Sequence, residues 1–326
     1  MTALSAGAKR ARLLATFLKG RPVWCTWQIA PRCASFCVFC EHRAEGGSGE
    51  LDLAGCRAVA RGLTSLGSLL VSLSGADPFL RPDLPDIVGA LAEAHFPILT
   101  THGWSVTREK AREVWQRGLV AASVTLHDAE AGAHDDAAGM PGSHARALAA
   151  LRTLAAERTR KTQQVNVKVS LAGMDGGTLP GLLRLAEEHR ASVSVELPYP
   201  LSREGAPGFT ARLRKLKAAH PNLRTSDFFL DRVEPALSGG VPGCRAGRSF
   251  FNVDHRGRVS KCLEFRGVED LAGDLSAERG EVVLERLAMR TAENRCQACW
   301  MSARGEVEGL YTWRGFVGGL ATLVRP

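Results

Sequence analysis

The 326-residue chain has no run approaching the ~20 apolar residues that a membrane span requires, since the apolar stretch from Leu310 to Val324 is broken by Arg314 and several glycines. It also lacks a signal-peptide pattern, because its N-terminal apolar segment is short and interleaved with basic residues. A cytoplasmic protein is expected. Internal repeats and long low-complexity regions are absent, which excludes repeat arrays. Acid is missing from the start of the chain, where Lys9, Arg10, Arg12, Lys19 and Arg21 stand unopposed, while the remainder is nearly balanced. The net charge of +8 is therefore a feature of the N-terminus and does not describe a nucleic-acid groove. A solvated helix face, packing on the rest of the protein, and a peripheral membrane contact are the readings open for this segment, whose Leu13, Leu14, Phe17 and Leu18 form an apolar stripe.

The 45% hydrophobic content suffices for one large α/β domain and a smaller one. Short apolar runs at 23–29, 69–73, 97–101, 121–126, 165–171 and 192–197 alternate with helical patterns, for example Pro82–His95, Thr107–Arg117, Ser143–Glu157 and Leu179–His189. Six strand–helix units predict a partial (βα)6 TIM-like barrel with a parallel sheet, in which the loops after the strands carry the chemistry. After Pro200 the rhythm changes. A basic helix precedes a hairpin with strands Ser249–Val253 and Arg258–Cys262 around a turn at Asp254–Gly257, the start of a second module. The expected division is a basic helical segment at 1–22, the barrel at 23–230, and a small C-terminal domain built on the hairpin at 231–326.

Nine cysteines in a reducing compartment argue for metal ligation or catalysis more than for disulfides. Cys33, Cys37 and Cys40 fall within eight residues, directly after the first predicted strand. Three thiolates at this spacing can hold three irons of a [4Fe-4S] cube and leave the fourth open, whereas a zinc ion normally takes four closed ligands. Cys244, Cys262, Cys296 and Cys299 supply four more thiols, enough to close a site, and by spacing alone a zinc ribbon competes there with an iron–sulfur cluster. Cys25 and Cys56 lie among apolar neighbours and are read as core.

The CxxxCxxC loop, with Phe39 just before its last cysteine, resembles the signature of the radical S-adenosylmethionine (SAM) superfamily. Further features fall in order. Gly75, Ala76, Asp77 and Pro78 resemble the family's Gly-Gly-Glu-Pro stretch, whose backbone receives the methionine amino group of SAM. Thr101-His102-Gly103 stands where Thr-Asn-Gly is common, and the segment from Thr125 through His127 and Asp128 resembles the Ser-Leu-Asp-Gly turn after strand four. The resemblance implies that Cys33, Cys37 and Cys40 are the catalytic cluster ligands, and that Phe39, Gly75, Ala76, Asp77, Pro78, Thr101, His102, Thr125 and His127 surround SAM. His102 and His127 depart from the family pattern and stand either as SAM or substrate contacts or as satisfied rim histidines; Asp128 equally suits a turn cap. Strand five shows no glycine motif, so it places the adenine only by analogy.

The Cys244…Gly257-x4-Cys262 hairpin followed by Cys296-x2-Cys299 resembles the twitch extension, a shortened SPASM domain, which implies a second [4Fe-4S] cluster on these four residues. No cysteine follows Cys299, so one auxiliary cluster is expected. The resemblance implies reductive cleavage of SAM to a 5′-deoxyadenosyl radical that abstracts hydrogen from substrate, with electrons from a flavodoxin or ferredoxin type donor. Only about twenty residues stand before the first strand, short of a leader-peptide module, which tilts the expectation toward a small-molecule or lipid-like substrate with net oxidation or rearrangement. Maturation of a ribosomal peptide is the alternative. A two-cluster electron carrier or sensor is the non-enzymatic one, against which the SAM-site motifs count.

Overall fold

A computed structural model describes residues 3–33, 35, 37, 49–67, 69–171, 177–197, 208–265, 267–297, 299–312 and 315. The chain opens with α1 (Ala6–Leu18), capped by the Ser5 hydroxyl, which accepts from the Ala8 amide. There follow β1 (Trp24–Ala30), α2 (Leu53–Leu66), β2 (Leu70–Gly75), α3 (Leu84–Ala92), β3 (Phe96–Thr101) and α4 (Arg108–Gln116). Next come β4 (Ala121–Thr125), α5 (Ala131–Ala138), α6 (Ser143–Ala156), β5 (Gln164–Ser170), α7 (Leu179–Glu188) and β6 (Ser192–Glu196). The remainder holds α8 (Phe209–Ala219), α9 (Asp227–Leu230), α10 (Val233–Ser238), β7 (Phe250–Val253), β8 (Arg258–Ser260), β9 (Gly273–Asp274), α11 (Gly280–Arg290) and α12 (Ser302–Leu310).

The nine strands form one sheet in the order β6-β5-β4-β3-β2-β1-β7-β8-β9, with β1 to β6 parallel and in sequence order. This is the expected open barrel. The C-terminal hairpin is hydrogen-bonded into it, because β7 pairs parallel with β1 from Trp24↔Phe250 to Trp27↔Val253, and then turns back antiparallel into β8. The exposed side of β6 is covered by residues 222–224, where the Val193 amide donates to the Asn222 carbonyl at 2.8 Å.

Strands β3 to β6 alternate between buried and half-buried or exposed residues, as does the first half of β1, whose last four residues are all buried. Cys25, Trp27, Val71, Leu73, Leu99, Ala122, Val124, Val167, Val169, Val193 and Val195 are fully or nearly fully buried in a core shared with the helices, at about 1.5–3 kcal/mol for each large apolar side chain. The opposite face is half-buried, apolar in Leu70↔Phe96 and Ile98↔Ala121 and polar in Thr26↔Ser72, Thr100↔Ser123, Ser123↔Asn166, Thr125↔Lys168 and Ser170↔Glu196. Lys168 and Glu196 meet there as an ion pair at 2.6 Å.

The N-terminal helix packs on the barrel. Leu13 is buried with Val23, Phe250 and Val307. Lys9 Nζ donates to the Ala92 carbonyl at 2.9 Å and Arg12 to the Thr64 carbonyl at 3.1 Å, so two of the unopposed cations complete the C-termini of α3 and α2. No helix among the described residues is long and apolar enough to cross a membrane.

Candidate active site and auxiliary metal centre

Cys33 and Cys37 lie on the loop that leaves β1, at the end of the sheet where β2, β3 and β4 also deliver their following loops. Cys40 and Phe39 lie outside the described residues. Cys37 is buried and Cys33 exposed; the Ser35 amide donates to Cys33 Sγ at 3.4 Å. The glycine-rich stretch holds the loop's first residues: the Ala76 amide donates to the Ala30 carbonyl at 2.9 Å and the Asp77 amide to the Arg32 carbonyl at 3.1 Å. Gly75 is required here. Its φ is +108°, and a Cβ would stand 2.4 Å from the Ala30 carbonyl oxygen.

Asp77 and Thr101 act as a clamp behind this surface. The Asp77 carboxylate accepts from Thr101 Oγ1 at 2.8 and 3.0 Å, from the His102 amide at 3.2 Å and from the Phe79 amide at 3.0 Å. Thr101 Oγ1 in turn accepts from the Gly103 amide at 3.0 Å. Both side chains are buried, so any contact they make with SAM falls to the backbone around them. Burial raises the Asp77 pKa against the pull of His102 and these hydrogen bonds.

The departures His102 and His127 come together at the cluster loop. The Cys37 sulfur and one ligand nitrogen from each histidine lie within 4.8 Å of one another, with His127 Nε2 3.8 Å from Cys37 Sγ. His134 Nδ1 accepts from the His127 amide at 3.0 Å, which fixes the His127 backbone. Burial pushes His127 down to about 3 and His134 to about 4, so both are neutral at physiological pH. Lys168 lies close enough to lower His102 further, beyond the larger effect of burial, which places the polar face of the sheet beside this site.

One residue here gave no signal in the sequence. Arg81 is almost wholly buried, donates to the Ile29 carbonyl at 3.1 Å and the Leu51 carbonyl at 2.8 Å, and pairs with Asp83 at 2.8 Å. Ile29 precedes the cluster loop and Leu51 follows it, so Arg81 clips the two ends together.

Cys244, Cys262, Cys296 and Cys299 converge on one cavity, which Lys261 and Arg304 also line, and none is in a disulfide. The amides two residues on, those of Ala246, Glu264 and Met301, lie close enough to the Cys244, Cys262 and Cys299 thiols to pull their pKa values down against larger effects that raise them. Cys33 and Ser35 repeat the pattern in the first loop. Amides aimed at sulfur stabilise thiolates and cluster ligands. Burial raises Cys25 and pushes Cys56 up to about 11, as it raises Cys262 and Cys299, but at the core pair no amide offsets it, and Cys56 instead donates to the Leu51 carbonyl. Asn294 ties two ligand loops, donating to the Cys244 carbonyl at 3.1 Å and accepting from the Cys296 amide at 3.2 Å.

The spread of the four sulfurs bears on what they hold. Among the described residues only Cys37, His102 and His127 bring three ligand atoms within 4.8 Å of one another, so no three of these thiols do. Four thiolates on one tetrahedral zinc ion would sit roughly 3.8 Å apart. The set as a whole is wider than that, although Cys244 and Cys296 lie within hydrogen-bond reach of each other.

Residues 27–188 match the family model described as the Radical SAM superfamily. The chain is 26% identical to mycofactocin maturase MftC of Mycobacterium ulcerans, over 82% of this chain and 76% of that protein. It is also 26% identical to PqqA peptide cyclase of Gluconobacter oxydans, over 75% and 71%. Among solved structures it shares its fold with Streptococcus suis SuiB bound to S-adenosylmethionine, with a TM-score of 0.65 at 14% identity over 82% of this chain and 66% of that one. Native anSMEcpe with bound AdoMet gives 0.62 at 14% identity over 81% and 80%.

Proposed function

The chain belongs to the radical SAM superfamily and carries the twitch extension, and on that premise we propose that it is a peptide maturase in which Cys33, Cys37 and Cys40 hold the SAM cluster and Cys244, Cys262, Cys296 and Cys299 an auxiliary [4Fe-4S] cluster. When bound, the first cluster supplies the electron that cleaves SAM to the 5′-deoxyadenosyl radical, which takes a hydrogen atom from substrate. The chain's own residues do the rest. Arg81 and the Gly75–Pro78 backbone fix the loop, the Asp77–Thr101 clamp holds the adjoining end of β3, and the neutral His127 sits against Cys37.

The observation that carries the peptide reading is the polar inner face of the sheet. Toward the C-terminal ends of the strands, serines, threonines, Asn166 and the Lys168–Glu196 pair offer donors and acceptors to amide groups, while the apolar residues of this face, Leu70, Phe96, Ile98 and Ala121, lie nearer the opposite ends. Of the features that pointed to a lipid, Leu13 is buried and Lys9 and Arg12 cap helices, while Leu18 stays exposed. PqqA peptide cyclase, by its name, acts on a peptide, which favours this class over the small molecule or lipid expected from the sequence.

The test is anaerobic turnover of the reconstituted full chain with SAM and dithionite. Short peptides encoded beside its gene should raise 5′-deoxyadenosine formation above the substrate-free rate and change mass. Modification of an aminocyclitol or a lipid, with every such peptide inert, overturns the peptide reading. Iron and sulfide should each be about eight per chain, as two four-iron clusters require. Zinc in place of half that iron refutes the auxiliary cluster.

A further inference from the structure

We propose that Arg304 both assembles the four-cysteine site and raises the reduction potential of what it holds, an inference that rests on the auxiliary-cluster reading above. Arg304 sits on the first turn of α12 with its side chain fully buried. Its Nη1 donates to the Cys299 carbonyl at 2.6 Å, its Nη2 to the Val241 carbonyl at 2.7 Å and the Pro242 carbonyl at 3.5 Å, and its Nε to Glu308 Oε1 at 3.1 Å. The guanidinium also lines the cavity on which the four thiols converge. Glu308 accepts from the Arg245 amide at 2.8 Å, the residue after Cys244. One side chain and its partner thus tie the segments that carry Cys244 and Cys299, which lie 55 residues apart.

The charge needs an explanation beyond scaffolding. A buried ion pair is costly to desolvate and contributes little net stability by itself, so an apolar pair of similar volume would serve packing as well. Beside four thiolates around a cluster the arginine gains a further anionic partner. Arg304 lines the same cavity as Cys244, Cys262, Cys296 and Cys299, and its Nη1 reaches the carbonyl of one of them. In a low-dielectric surround, a fixed cation favours the more negative, reduced cluster and so moves its potential upward. Lysine cannot replace the fork of donors that reaches three carbonyls and the Glu308 carboxylate at once. The other cation lining the cavity, Lys261, is turned onto the Phe265 ring, 3.7 Å from its centroid.

The experiment uses the full chain carrying C33A, C37A and C40A, so that only the auxiliary cluster is read by electron paramagnetic resonance during redox titration. Against that parent, R304M should lower the midpoint potential, R304K should recover part of the shift, and E308Q, which removes the counter-charge, should raise it. An R304M protein with parental iron and an unchanged midpoint overturns the proposal, as does R304K no nearer the parent than R304M. Should R304M fail to load iron, E308Q decides: an upward shift supports the proposal and an unchanged midpoint overturns it. A parent holding zinc in place of about four irons sinks the cluster reading, and this inference with it; a four-iron parent with immobile potentials sinks this inference alone.

Discussion

The two cysteine sites are built by opposite routes around the same device. The first takes its thiols from positions 33 to 40 of one loop, whereas the second gathers Cys244, Cys262, Cys296 and Cys299 from three stretches of chain. Each is clipped by a buried arginine with an acidic partner that donates to backbone carbonyls on flanking segments: Arg81 with Asp83 at the first, Arg304 with Glu308 at the second. The difference lies in reach. Arg81 bonds to the ends of a loop and leaves the thiol-bearing residues to their neighbours, while Arg304 bonds to the backbone carbonyl of a thiol-bearing residue, Cys299. A single loop brings its ligands together by its own covalent continuity, so its ends are what must be fixed. A site assembled from distant segments loses loop-closure entropy for each, and needs cross-links at the ligands.

The largest effect expected comes from removing one site whole. The C33A/C37A/C40A variant should lose 5′-deoxyadenosine formation entirely while keeping about half the iron, and retention of SAM cleavage would break the assignment of roles between the sites. Next, R81M leaves two carbonyls and Asp83 without a buried partner, and should cost about 3–5 kcal/mol in urea unfolding, with the first cluster lost before the second. Equal loss of both would show that Arg81 supports the whole sheet and not the loop.

Acid should separate the barrel from the C-terminal site by a further margin. Burial holds His95 at about 4 against an ordinary 6.5, with its Nδ1 accepting from the Leu69 amide. Between those values the unfolded chain binds a proton that the folded chain does not. Stability is therefore full above pH 6.5 and falls by up to about 3 kcal/mol as pH drops toward 4. H95Q should flatten that slope in thermal melts, and an unchanged slope would assign the acid sensitivity elsewhere. The smallest effect is that of N294A, which removes two hydrogen bonds between ligand loops at about 1–2 kcal/mol. Chelators should strip the auxiliary iron faster from this variant, with the first cluster unaffected.

Much of the barrel is legible in the amino-acid sequence. The six strands fall within one or two residues of their expected ranges because alternating apolar runs and turn residues are local signals. The hairpin at Phe250–Val253 and Arg258–Ser260 is equally plain, but its pairing onto β1 is not, because a parallel contact between residues more than 200 positions apart leaves no local trace. The basic N-terminus is legible as charge and not as purpose, since Lys9 and Arg12 are explained only by the helix ends they meet.

The sequence by itself determined which cysteines can act together, since spacing within a loop and within a CxxC limits geometry through covalent bonds alone. It also determined the parallel sheet, through periodicity. Tertiary structure alone decided which cysteines receive amides at sulfur, which face of the sheet is polar and open, and which of many arginines are buried beside the ligands. Those properties depend on partners brought close by packing, and a single sequence carries no record of distances between segments that meet only in the folded chain.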